Sequence, residues 1–282
     1  MMDGVNNVFF VIMIILIVIL CALKFIRVSR DGAEGFTQNS AFVVKNGDAI
    51  YDSFYSTIYD TLNNSGERAD FEYNKIVELT RQTPSKCMVL DVGSGTGHLV
   101  NKFSRNGYPT HGIDKSLAMV KQSSIQFPEI DVKQGDIMDS MMYERGIFTH
   151  ITCMNKTLYH IEDKQTFFRN CYNWLQPNGF LIVHLTERES EKEREDIEIE
   201  KIIDFQGFKY ERKCKTDTVG NLSISENFTD DVSKNVRQNE LILYMEPIKN
   251  IIKLATQNGF IAHAQVNFRN IDDEFIYVFE RL

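Results

Sequence analysis

The chain has 282 residues, with 31 Lys and Arg against 39 Asp and Glu, for a formal net charge of −8 at pH 7. That acidic balance argues against a broad nucleic-acid footprint, which needs a basic face to neutralise phosphates. Five cysteines, an odd number without C-x-x-C spacing, make no disulfide framework, and six histidines without an H-x-x-H or His/Cys grouping predict no metal site.

Val8 to Leu23 is an unbroken apolar run of 16 residues. At ~1.5 Å per residue it spans about 24 Å, and Val5, Phe25, Ile26 and Val28 extend it towards a ~30 Å hydrocarbon core if Lys24 and Arg27 snorkel. Only Asp3 is charged before the run, so the basic n-region of a cleaved leader is missing. A transmembrane anchor over residues 1–28 is expected, meeting the membrane through residues 5–28. Lys24, Arg27 and Arg30 follow the run and no Lys or Arg precedes it. The positive-inside bias then predicts that the remainder faces the cytoplasm. Residues 29–40 are polar, with Gly32 and Gly35 and no periodicity, and read as a tether to a domain over 41–282.

From Ala49 to Asn63, Tyr51, Phe54, Tyr55 and Tyr59 fall on one helical face. An ordinary core-facing stripe would look the same. Phe71 to Leu79 reads as a further helix before Pro84.

Val89–Val92 is a short β-rich run, apolar except for Asp91, and is followed by Gly93-Ser94-Gly95-Thr96-Gly97. Leu99, Val100 and Phe103 then recur at helical spacing up to Gly107. Strand, glycine turn and helix in this order make a nucleotide site, because glycines admit close approach and the helix start presents free N–H groups. A dinucleotide G-x-G-x-x-G would need glycine where His98 stands. The D-x-G-x-G-x-G pattern instead resembles motif I of the class I S-adenosylmethionine (SAM)-dependent methyltransferases. SAM has no pyrophosphate to cradle, and an acid such as Asp91 suits its cationic methionine end.

The elements that follow keep the family's order. Thr110–Asp114 reads as a second strand ending in an acid, 23 positions after Asp91 (114 − 91), where ribose hydroxyls are bound. Ser116 caps a helix through Gln126, and Ile130–Ile137 is a third strand running into Gly135-Asp136. Phe148–Cys153 is a fourth strand, Asp163–Leu175 a helix, and Phe180–Leu185 a fifth strand after Gln176-Pro177-Asn178-Gly179. Asn178 stands where the family usually has glycine, and tolerates the left-handed conformation. Gly207–Lys215, Asn221–Phe228 and Val236–Tyr244 read as antiparallel strands inserted before a helix carrying Ile248, Ile251, Ile252 and Ala255. Ile261–Phe268 and Phe275–Glu280 close the chain as an antiparallel edge pair. The charged run Glu187–Lys201, with eight acids and four bases, reads as a solvated helical face.

The resemblance covers roughly Ala49 to Leu282. It implies a Rossmann-like α/β fold: a mostly parallel seven-stranded sheet with helices on both faces, an antiparallel C-terminal edge strand and a small β insertion at about 205–245 that roofs the acceptor pocket. It also implies SAM as cofactor, held by Asp91, Gly93, Ser94, Gly95 and Gly97, by Asp114 with Lys115 on the ribose side, and by Asp136 with Ile137 at the adenine. Met154 lies after the fourth strand, and Tyr55 or Tyr59 would reach over the cofactor from a lid helix. Tyr159 and His160 stand where substrate-facing residues often fall, although a helix-start pair doing structural work fits them too. Asn155-Lys156-Thr157-Leu158 departs from the Asn/Asp-Pro-Pro-Tyr/Phe sequence of DNA-base and protein-glutamine methyltransferases, which argues against those acceptors. The methyl acceptor is left open among a small molecule, a lipid and a protein. A catalytically inactive, membrane-anchored adaptor is the other reading.

Overall fold

The structure is a computed structural model that describes residues 13, 40–81, 83–187, 203–205, 207–217, 220–269 and 273–282. Save for Met13, Ser40 and Glu187, the expected anchor, tether and charged run lie outside those residues. Among the described residues no helix is long and apolar enough to cross a membrane.

Two sheets make the architecture. The larger has seven strands: β2 (Val89–Val92), β3 (Thr110–Asp114), β4 (Asp131–Gln134), β5 (Phe148–Cys153), β6 (Leu175–Thr186), β11 (Phe260–Asn267) and β12 (Glu274–Arg281). Their order is β11-β12-β6-β5-β2-β3-β4, and β2 through β6 run parallel within it. β12 is antiparallel to both β6 and β11, so the antiparallel strand sits one place in from the edge rather than at it.

Side chains alternate across this sheet as the pleat requires. Leu90, Val92, Leu181, Val183, Tyr277 and Phe279 join a core with helices α5 (Lys164–Trp174) and α6 (Ile248–Gln257). Val89, Ile182, Ile276 and Val278 join a second core on the opposite face with α2 (Ser65–Thr80) and α3 (His98–Arg105). The first face includes Phe167, Phe168 and Trp174 of α5, all at 1% exposure or less. Asp163 begins α5 by accepting the Thr166 N–H, and Ser116 begins α4 (Leu117–Gln126) by accepting that of Met119. Asn178 has φ +61, the left-handed conformation expected of it, although β6 already begins at Leu175.

The smaller sheet differs more from expectation. β7 (Ile203–Phe205), β8 (Phe208–Thr216), β9 (Leu222–Asp230) and β10 (Val236–Leu243) are antiparallel, as anticipated for the insertion. A fifth strand, β1 (Phe42–Asn46), adds parallel to β10 from the other end of the domain. The helix that follows β1, α1 (Ser53–Asn63), packs Phe54, Tyr55 and Ile58 against Phe208, Tyr210 and Phe228 of this sheet. The insertion therefore shares a core with the segment ahead of the glycine turn.

Candidate functional site

Open α/β sheets bind ligands beyond the carboxyl ends of their strands. Here a cavity of about 1010 Å³ lies at that edge, bounded by Gly93 and Gly95 after β2, Asp114 and Lys115 after β3, Gly135 to Ile137 after β4, and Asn155 to Thr157 after β5. α1 contributes Tyr55 and Tyr59, Tyr51 stands just before it, and β8, β9 and β10 supply Arg212, Glu226, Leu241 and Leu243.

The glycine turn needs its glycines for different reasons. All three have positive φ, which side chains other than glycine adopt at a cost. A Cβ on Gly97 would meet Ile130 at 2.6 Å and Ser123 at 3.0 Å, so Gly97 lets α3 pack close and does not border the cavity. A Cβ on Gly95 would meet only the Tyr59 ring, at 3.6 Å. Gly95 therefore faces open cavity.

Asp114 is fixed by two backbone donors: the Gly95 N–H bonds its Oδ2 and the Ser116 N–H its Oδ1, each at 2.8 Å. The second acid, Asp136, accepts the Met138 N–H at 2.9 Å, and Lys115 bridges it, at 3.4 Å, to Asp48, at 2.7 Å. Each carboxylate keeps acceptor capacity for hydroxyl or amine donors in the cavity.

Beside the turn a recess of about 30 Å³ adjoins the cavity through Tyr59, Arg68, Gly93, Gly95 and Asn155. Asp91, Ser94 and Met154 line this recess and not the main cavity. Asp91 is buried, and its Oδ1 accepts the Thr152 hydroxyl at 2.6 Å. Burial pushes its carboxyl up to about 7, and pushes the neighbouring Glu72 up to about 8. Arg68 Nε lies 3.4 Å from Glu72. Ser65 and Ser94 border this recess with hydroxyls that lack hydrogen bonds among the described residues, and the Arg68–Glu72 ion pair stands beside them. Buried hydroxyls without partners are uncommon, and two of them beside an ion pair make this recess polar.

The lid helix is held at both ends. At its C-terminal end Asp60 accepts the Thr96 hydroxyl at 2.5 Å and Gln126 Nε2 at 2.7 Å, with His98 Nε2 at 3.1 Å. Burial opposes its charge, but these three donors outweigh burial and bring the carboxyl down to about 2. His98, the residue that departs from a dinucleotide fingerprint, thus pins the lid. At the N-terminal end Arg237, fully buried, bonds both oxygens of Asp52 at 2.9 and 2.8 Å and the Ile50 carbonyl at 2.9 Å. Tyr59 OH accepts from Asn155 Nδ2 at 2.9 Å, which orients its ring above Gly95.

The two substrate-side expectations separate. His160 borders the cavity, its ring 6.1 Å from that of Tyr51, and burial pushes its imidazole down to about 4. Tyr159 is a correction: it is fully buried, and its hydroxyl donates to the Thr186 carbonyl at 3.1 Å and accepts the Thr186 N–H at 3.0 Å. Its hydroxyl ties the short helix after β5 to the end of β6 and does not reach the cavity.

Several lining residues carry no motif in the sequence, including Arg68, Glu72, Arg212 and Glu226. Glu226 does carry a usable signal. It falls in phase with Leu222, Ile224 and Phe228 on the buried face of β9, and an acid on an apolar face is there for a reason.

Residues 90–183 match the family model described as a methyltransferase domain. The chain is 30% identical over 112 residues to a ubiquinone biosynthesis O-methyltransferase of Xanthomonas axonopodis pv. citri, covering 38% of this chain and 46% of that one. It is 28% identical over 140 residues to the dTDP-4-amino-2,3,4,6-tetradeoxy-D-glucose N,N-dimethyltransferase of Saccharopolyspora spinosa, covering 48% and 55%. The chain thus spans about half the length of these relatives. In fold it is similar to an S-adenosylmethionine-dependent methyltransferase from Clostridium acetobutylicum, with TM-score 0.64 and 18% identity over 80% of this chain and 97% of that one. The fold is the Rossmann-like methyltransferase fold.

Proposed function

We propose that the chain is a SAM-dependent methyltransferase acting on the nitrogen or oxygen of a small-molecule acceptor. The observation that carries this reading is the joined cavity and recess around Gly95. The recess offers the Ser94 hydroxyl and the Arg68–Glu72 ion pair to an amino-acid end, and the cavity offers Asp114 and Asp136 to a ribose and a base. These residues fit SAM, which when bound supplies a methyl group on a cationic sulfur. The family match and the relatives' names support the same cofactor.

The chain's own task is alignment and exclusion of water. Asp114, held by two backbone N–H groups, fixes one end of the cofactor site, and the tyrosines of the lid cover it. These walls would hold an acceptor lone pair in line with the methyl group that the cofactor supplies. His160, neutral at ordinary pH because of its burial, is able to accept a hydrogen bond or a proton from an acceptor in the cavity. β8, β9 and β10 wall the acceptor end, which suits a molecule that fits together with SAM inside about 1010 Å³.

Gly95→Val tests the reading. The added side chain projects into the cavity from a backbone at φ +54, so S-adenosylhomocysteine binding is expected to be lost while the circular dichroism spectrum stays that of a folded chain. Undiminished S-adenosylhomocysteine affinity in a folded Gly95→Val would refute the site.

A further inference from the structure

Resting on that reading, we infer that the acceptor is an amine, and that the Glu226 carboxylate holds its ammonium group at the roof of the cavity. Glu226 is 8% exposed, yet lines the cavity. Its Oε1 accepts the Tyr55 and Tyr210 hydroxyls at 3.2 and 2.8 Å, and its Oε2 accepts Asn239 Nδ2 at 3.2 Å. All three donors are neutral, so none of them cancels a carboxylate's charge, and Oε2 retains acceptor capacity for a further N–H.

The nearby cations offset that charge only in part. Arg237 spends its guanidinium on Asp52, the Ile50 carbonyl and Asn239 Oδ1. Arg212, the register partner of Glu226 on β8, borders the same cavity and interacts electrostatically with that carboxylate, but stands too far off to form an ion pair. Lys115 is taken by Asp48 and Asp136.

The remaining walls agree. Tyr55 stands between Tyr59, at 6.0 Å between ring centres, and Tyr51, at 5.6 Å, so an aromatic surface runs from the glycine turn to Glu226. Aromatic faces attract cations, and a buried carboxylate repels a phenolate or carboxylate. An amine also completes the chemistry without further groups. The ammonium loses one proton to bulk solvent before the cavity closes over it, the freed lone pair bonds the methyl carbon as the carbon–sulfur bond breaks, and the methylated amine leaves with its positive charge restored.

The test uses the full chain saturated with S-adenosylhomocysteine and three probes of one frame: phenethylamine, 2-phenylethanol and phenylacetate. Saturation-transfer NMR is expected to show phenethylamine bound at least about tenfold more tightly than either of the others, and Glu226→Gln is expected to erase that preference. The wild-type selectivity decides the matter even where the variant fails to fold. Equal responses, or none from any probe, overturn the inference, as does a preference that survives Glu226→Gln. Failure of S-adenosylhomocysteine itself to bind would instead sink the cofactor reading beneath it.

Discussion

Asp91 and Glu72 face each other across Arg68 with their carboxyls raised to about 7 and about 8 by burial. Ordinary carboxyls titrate near 4, so between about pH 4 and 8 the folded chain holds protons that the unfolded chain has released. Stability without ligand is therefore expected to fall as pH rises through that window. An ammonium-bearing ligand end placed beside these acids favours their ionised forms. Binding SAM at pH 7 should then release protons, seen as an apparent enthalpy that differs between phosphate and Tris buffers. Identical enthalpies in the two buffers would show that neither acid meets a cation. Asp91 was legible in the sequence because an acid interrupts an apolar strand, but Glu72 was not, since it sits in a helix rich in charge. The sequence places His160 after a strand end but says nothing of its burial. An unperturbed imidazole titrates near 6.5, whereas burial brings this one to about 4. NMR titration of the His160 ring is expected to show it neutral down to about pH 4, and a midpoint near 6.5 would place it in solvent.

At the scale of elements, the lid helix carries the coupling between the two halves of the site. Asp60 binds α1 to the glycine turn and α4, and Asp52 binds it to β10 through Arg237. Replacing Arg237 by Met leaves Asp52 with only Lys45, at 3.6 Å, and the Tyr55 N–H. Removing one partner of a buried pair costs ~3–5 kcal/mol, and the partial exposure of Asp52 reduces the expected loss to about 2–3 kcal/mol. Urea denaturation of Arg237→Met and of Arg237→Met with Asp52→Asn measures it, the double variant being expected to recover part of the loss. A loss below about 0.5 kcal/mol would show that the strap does not hold the lid. α1 was readable from its aromatic spacing, and the inserted strands from their alternation. β1 was not, because its partner β10 lies almost 200 residues away and Phe42–Asn46 alternates no more clearly than a linker. Tyr159 was misplaced for a related reason: the short helix after β5 turns its ring to β6, and nothing in the local sequence reports that direction.

At the scale of the whole molecule, the strand order β11-β12-β6-β5-β2-β3-β4 brings four loop ends to one edge, and the insertion folds back with β1 and α1 to cover them. The order of motifs along the chain made the main sheet foreseeable, since each glycine or acid falls at a strand end. The roof was foreseeable as strands but not as a chamber, because its charge, Glu226, and its clamp, Arg237, act on a helix more than 150 residues earlier. His98, in place of a dinucleotide site's third glycine, makes SAM rather than NAD the expected ligand of this edge. Calorimetric titration of the full chain with SAM and, separately, with NAD tests that most directly. One SAM bound per chain and no heat from NAD are expected; saturable binding of NAD with none of SAM would contradict it.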